Sequence, residues 1–143
     1  MVKYSVNKKL NYSNKQMFDL ISDVTKYPEF LPWCKNSNIY NKSNDIFYSD
    51  MEIGFNLIKE TFTSKVTLVE AAKVHSEAVS GPFRKMNNIW VIDYISDKEC
   101  EINLIIEFEF KSFILQNIIG KFFESASKKM IIAFEERASH LYE

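Results

Sequence analysis

The sequence predicts an α+β fold in which a curved antiparallel sheet closes around one long C-terminal helix. Three observations predict it. First, Lys111 to Tyr142 carries Leu115, Ile118, Ile119, Phe122, Ala126, Met130, Ala133, Phe134 and Leu141 at three- and four-residue spacing. Lys121, Glu124, Lys128, Lys129, Glu135, Glu136 and Arg137 fill the other side, which is the pattern of an amphipathic helix. About 28 such residues make a rod of roughly 40 Å. Second, nearly everything between Lys35 and Phe110 alternates at period two, with short links between the runs, so neighbouring strands should pair antiparallel in a meander. Third, the apolar face of such a sheet needs a cover, and no other segment is long enough to supply it.

Val2 to Leu10 alternates through Val2, Tyr4 and Val6 and reads as a first strand. Ser13-Asn14-Lys15-Gln16 is a capping box, with Tyr12 and Met17 at hydrophobic-staple spacing. A helix should therefore start near Asn14, bury Met17, Leu20, Ile21 and Val24, and stop between Asp23 and Thr25. In Tyr27-Pro28-Glu29-Phe30-Leu31-Pro32-Trp33-Cys34, Pro28 suits the first turn of a second, short helix and Pro32 its end. The two short helices should lie at the sheet edge.

Six strands follow. Ser37 to Asn41 and Ile46 to Phe55 flank the polar turn Lys42-Ser43-Asn44-Asp45. Lys59 to Glu70 alternates through Glu60, Phe62, Ser64, Val66 and Leu68, Lys73 to Ser80 continues after Ala71-Ala72, and Gly81-Pro82 interrupts. Asn87 to Ile95 and Glu101 to Phe110 are joined at Ser96 to Glu99. In the last, Ile102, Leu104, Ile106, Phe108 and Phe110 face one way against Glu101, Asn103, Glu107 and Glu109. A curved sheet gripping a helix can leave a cavity between them, the place for a small apolar ligand.

The totals fit one domain over residues 1–143 with an aromatic-rich interior: twelve Phe, seven Tyr and two Trp against three Gly and three Pro. A net charge of -1 supplies no global field for nucleic acid or an anionic membrane. Cys34 and Cys100 have neither disulfide-framework nor metal-ligand spacing, so free thiols in a reducing compartment and no metal site are expected. Neither a secretory leader nor a spanning segment is expected, since Phe113 to Phe123 is broken by Gln116, Asn117, Gly120 and Lys121.

The blocks Tyr27 to Cys34, Glu60 to Val66, Gly81-Pro82-Phe83-Arg84 with Trp90, and Glu107 to Phe110 before a long final helix stand in matching order and spacing to one family. Over essentially its whole length the chain resembles the coenzyme Q-binding START-domain family, whose bacterial members are described as ribosome association toxins. The resemblance implies a helix-grip (START/Bet v 1-like) fold with an internal hydrophobic cavity. It also implies two functions. One is non-enzymatic binding of ubiquinone or a related polyprenyl lipid in support of respiration. The other is binding to the large ribosomal subunit so that subunits cannot associate. A polyketide-cyclase activity belongs to the wider fold superfamily.

The residues themselves speak against catalysis. His75 shares a strand face with Lys73 and Glu77, and His140 lies in the last helical turn, so both read as solvated. Glu60, Asp50, Asp93 and Glu107 read as the outer faces of strands, and no triad, phosphate loop or metal constellation is present. No cofactor is expected beyond a bound quinone as ligand. Phe30, Trp33, Phe62, Phe83, Trp90, Phe108, Phe110, Phe122 and Met130 are the candidates to line a pocket, and they serve an ordinary core equally well. Ser64, Tyr48 and Arg84 are the polar candidates for the quinone oxygens.

Tyr27 to Cys34, Gly81 to Asn88 and the apolar start of the last helix are candidate gates or peripheral membrane contacts. Gly120 fits a bend or a close approach there. A ribosomal partner would use Lys121, Lys128, Lys129 and Arg137, with Lys8, Lys9 and Lys15, although interleaved glutamates dilute that field. The expected place is the cytoplasm, peripheral to the inner face of the respiratory membrane.

Overall fold

In the computed structural model, which describes residues 1–55 and 57–143, the order is strand, two short helices, six strands and long helix, as read above. β1 (Val2–Leu10) leads into α1 (Asn14–Ser22). There the Ser13 hydroxyl accepts the Gln16 amide at 3.0 Å and the Gln16 side chain accepts the Ser13 amide at 2.9 Å. Both halves of the capping box are closed, and Met17, Phe18, Leu20 and Ile21 form the buried face. A 3-10 helix, Val24–Glu29, follows. It begins well before Pro28, which lies near its end and does not open it. The fixed φ of proline is compatible with this tight turn, and the Tyr27 carbonyl finishes it by accepting the Leu31 amide at 2.9 Å.

β2 (Cys34–Ser43), β3 (Ile46–Phe55), β4 (Ile58–Val69), β5 (Lys73–Ser80), β6 (Phe83–Ser96) and β7 (Glu99–Phe110) form an antiparallel meander. β1 closes on β7, giving the seven-stranded order β1-β7-β6-β5-β4-β3-β2. β6 starts earlier than the sequence suggests, because Phe83 and Met86 pair with Phe110 and Phe108. The expected loop from Gly81 to Asn88 is thus only Gly81-Pro82, with the rest in the sheet. Gly81 takes a φ of 122°, and a Cβ there would stand 2.6 Å from the Phe62 Cβ. Gly81→Ala should therefore cost about 2 kcal/mol through strain and clash together. A urea midpoint equal to wild type would refute this.

α2 (Phe113–Tyr142) has 30 residues, and the Ser112 hydroxyl caps it by accepting the Leu115 amide at 3.3 Å. It packs on α1, β1 and β7. Its buried residues, Ser127, Met130, Ile131, Phe134 and Ala138, run from its midpoint toward its C-terminal end. Phe134 is 1% exposed and meets Trp90, Phe30 and Tyr27 edge-on, with centroids 4.9, 5.0 and 5.4 Å away. Ile118 and Phe122, placed by periodicity on the covered stripe, remain partly exposed with Phe113 and Ile114. An added Cβ at Gly120 would meet only Val2 Cγ2, at 3.6 Å. That is ordinary contact, so the expected close approach is absent. No helix among the described residues is long and apolar enough to cross a membrane.

Candidate functional site

Period two sends alternate residues of each strand to the concave face. On β3 these are Ser49, Met51 and Ile53, and on β4 they are Glu60, Phe62, Ser64 and Val66, paired across the hairpin as Ser49 with Ser64 and Met51 with Phe62. Between this face and the underside of α2 lies a cavity of about 230 Å³. Trp33, Phe62, Ser64, Phe83, Trp90, Phe108, Phe110, Phe122 and Met130 all line it. Part of the N-terminal half of α2 therefore faces the cavity, with Ile119, Phe122, Phe123 and Ala126 in its wall, while Leu115, Ile119 and Phe123 also pack on the cluster of Phe62, Met86, Phe108 and Phe110. The cavity explains why none of these α2 side chains in its wall is fully buried. Phe122 is 47% exposed and marks an open end.

Two sequence candidates stand elsewhere. Phe30 packs between Phe134 and Arg137, whose guanidinium carbon lies 5.3 Å above its ring, so it joins the 3-10 helix to α2 and does not line the cavity. Arg84 has a side chain 67% exposed and faces Glu109 at 3.7 Å. A register shift between Phe83 and Lys85 turns Arg84 out while Phe83 stays in. Tyr48 is also outside the wall, stacked on Tyr40.

The wall contains polar residues that the sequence reading passed over: Ser49, Ser76, Asn88 and Ser127. The Ser49 Oγ and the Asn88 Oδ1 are buried without a hydrogen-bond partner among the described residues. Each such atom costs about 1–3 kcal/mol. Parity held the signal, since Asn88 lies two residues before Trp90 and the β3–β4 register places Ser49 opposite Ser64. Glu60 corrects another expectation. It shares the inward parity of Phe62 and Ser64, pairs with Ile53, and lines the cavity instead of the outer face.

The other titratable candidates do sit outside. Asp50 accepts from Thr63 at 2.6 Å and Asp93 from Asn103 at 2.9 Å. His75 Nε2 lies 2.9 Å from Asn87 Oδ1, and the Asn87 amide donates to Glu107 at 3.1 Å. That bond, helped by Lys85, holds the Glu107 carboxyl below its ordinary range. Among the described residues no group of three or more His, Cys, Asp or Glu is placed to hold a metal. Several basic residues are paired: Lys8 with Glu135, Lys15 with Asp19, Lys128 with Glu124, and Arg137 with Glu29 at 2.8 Å.

Cys34 lines the cavity, and Cys100 is buried near the start of β7. Burial pushes both thiols from about 9 up to about 11, so they stay protonated and weakly nucleophilic at neutral pH. A raised value means that the folded chain holds its proton longer than the unfolded one. The stabilisation is complete below about pH 9 and is lost as pH climbs through about 11, roughly 2 to 3 kcal/mol per thiol. The urea midpoint should fall between about pH 8 and about pH 10.5, and fall less in Cys100→Ala. A midpoint flat across that window would contradict the placement of the thiols.

Comparison with known proteins adds relatives to this geometry. Residues 10–135 match the family model described as polyketide cyclase / dehydrase and lipid transport. A protein of Rickettsia prowazekii named ribosome association toxin RatA is 34% identical over 146 aligned residues, covering 99% of each chain. A mitochondrial coenzyme Q-binding protein COQ10 homolog B of Xenopus laevis is 28% identical over 99% of this chain and 59% of its own length. Among solved structures, the ZhuI aromatase/cyclase of a Streptomyces species superposes with a TM-score of 0.87 over 99% of this chain and 96% of that one. At 12% identity the last likeness concerns the fold alone.

Proposed function

The chain belongs to the polyketide cyclase / dehydrase and lipid transport family, and from that premise we propose that it binds a polyprenyl quinone such as ubiquinone and presents it, chemically unchanged, to respiratory membranes. The carrying observation is the cavity: about 230 Å³, walled mainly by aromatic and aliphatic side chains. A dry cavity of about 150 Å³ holds one benzene ring, so this one accommodates a substituted ring and the first part of a tail. The rest of a polyprenyl chain must leave by the open end. There Phe113, Ile114, Ile118 and Phe122 offer exposed apolar surface along α2, suited to a tail or to the edge of a bilayer. Each CH2 equivalent withdrawn from water contributes about 0.8 kcal/mol. The name of the Xenopus relative supports the same ligand class. A cytoplasmic protein meeting the inner face of a respiratory membrane fits this role.

Mass spectrometry of organic extracts from the purified protein tests the proposal, followed by titration with a short-chain ubiquinone analogue. Both tryptophans, Trp33 and Trp90, line the cavity, so their fluorescence should be quenched with saturation as the ring enters. A protein that carries no quinone and shows no saturable quenching removes this reading.

A second reading has its own support in the name and full-length match of the Rickettsia relative: association with the large ribosomal subunit through the outer surface. Lys9, Lys121 and Lys129 would supply phosphate contacts, and binding would then weaken steeply with salt. Co-sedimentation with purified subunits at low and raised salt decides it. Absence from the large-subunit fraction at low salt ends that reading.

A further inference from the structure

The apolar wall is interrupted at one place, and we propose that this place, formed by Ser49, Ser64, Ser76 and Asn88, is the subsite for a neutral ring bearing carbonyl or hydroxyl oxygens. The inference rests on the quinone-binding reading and names the part of the cavity that takes the ring. The four residues lie on four consecutive strands, β3 to β6. Ser49 stands opposite Ser64, and Ser76 opposite Asn88. Ser64 pairs with Ala78, the inward neighbour of Ser76 on β5. All four line the cavity, so they form one polar stripe across the concave face.

Burial makes the stripe informative. Ser49 is 2% exposed and Ser64 5%, and the Ser49 Oγ and the Asn88 Oδ1 have no partner among the described residues. Folded chains pair their buried polar atoms, so two unpaired atoms on one stripe point to a partner that arrives with the ligand. Charge then selects the chemistry. Among the described residues no Lys, Arg or His lines the cavity, and the one carboxylate, Glu60, lies toward the β3–β4 turn opposite Ile53. A carboxylate or phosphate entering here would be desolvated without a counter-charge. A ring oxygen needs none, because hydroxyls and an amide donate to a carbonyl and accept from a hydroxyl.

The test is displacement of a neutral polarity-sensitive dye from wild type, Asn88→Leu, Ser49→Ala and Ser76→Ala by three ligands: a short-chain ubiquinone analogue, a ring-free isoprenoid hydrocarbon, and oleate. Quinone affinity should fall at least tenfold in Asn88→Leu and severalfold in each serine variant, while hydrocarbon affinity stays within twofold. Oleate should bind wild type at least tenfold more weakly than the quinone. Ser49→Ala and Asn88→Leu should melt no lower than wild type, since each removes an unpaired polar atom. If Asn88→Leu does not fold, the serine variants carry the comparison. Unchanged quinone affinity in the folded variants, or a preference for oleate, overturns the subsite and leaves apolar-ligand binding standing. A wild type that takes up none of the three ligands overturns the quinone-binding reading and the subsite together.

Discussion

Truncating Phe134 to Ala should lower the unfolding free energy by about 3 to 5 kcal/mol, the range for deleting a fully buried aromatic. The residue is 1% exposed, and its ring meets three others edge-on. Such pairs contribute about 0.5–1.5 kcal/mol each beyond area burial. The position also decides the outcome. Phe134 connects α2 to Trp90 of β6, to Tyr27 within the 3-10 helix and to Phe30 just after it, and the other buried residues of α2 lie close to it in the chain. In the N-terminal half of α2, Phe123 meets Phe108 and Tyr4 edge-on at 4.6 and 6.3 Å, but it is only half-buried and makes a weaker anchor. For a domain of this size each kcal/mol moves the melting point by roughly 3 °C, so a fall of about 10 °C or more is expected. Phe134→Leu should recover most of it. A loss under about 1 kcal/mol would mean that α2 is held by its exposed contacts instead.

The elements were legible because their signals are local. Ser13 and Gln16 announced α1, Asn44-Asp45 and Gly81-Pro82 announced turns, and Ile102 to Phe110 announced an inward face. What the sequence could not supply was depth. Ile118 and Phe122 carry the same period as Met130 and Phe134, yet the first two are 37% and 47% exposed and the last two 8% and 1%. Periodicity reports which way a side chain points and is silent on whether anything meets it. The same limit governs the site. Trp33, Phe62, Phe83, Trp90, Phe108, Phe110 and Met130 were named as apolar candidates, and the structure places them around one cavity. Phe30 has the same composition signal but serves as a strut, because the turn after Pro28 aims it at Arg137 and Phe134. Arg84 was attractive as a hydrogen-bond donor beside Phe83, and a shift in strand register turned it to solvent. Ser49, Ser76 and Asn88 looked unremarkable in the chain; only the pairing of β3 through β6 assembles them. Trp90 shows the practical consequence. It is 3% exposed against Phe134, so a charge there would unfold the chain before it reported on any ligand.

A cleaner separation of the two functional readings comes from filling the cavity from a wall position that carries no core contact. Ala126 lies on α2, half-buried, with its methyl group in the cavity wall. In Ala126→Trp the indole should occupy the space of the quinone ring. Quinone affinity is then expected to fall at least 100-fold, a loss of about 2.7 kcal/mol or more. Folding should survive, because Trp costs only about half a kcal/mol of helix propensity against Ala and the added ring enters space that the cavity leaves free. The melting point should stay within a few degrees, and Ala126→Leu should give an intermediate affinity. The paired readout is sedimentation with the large ribosomal subunit. Of the basic residues offered to that partner, Lys9 lies on β1, Lys121 about 140° around α2 from Ala126 and Lys129 one turn further along it, and none of the three lines the cavity, so the filled protein should sediment like wild type if the outer surface carries the interaction. Loss of both activities in a folded Ala126→Trp protein would show that ribosome binding depends on the liganded cavity. Retained quinone binding would mean that the ring sits elsewhere than between α2 and the sheet.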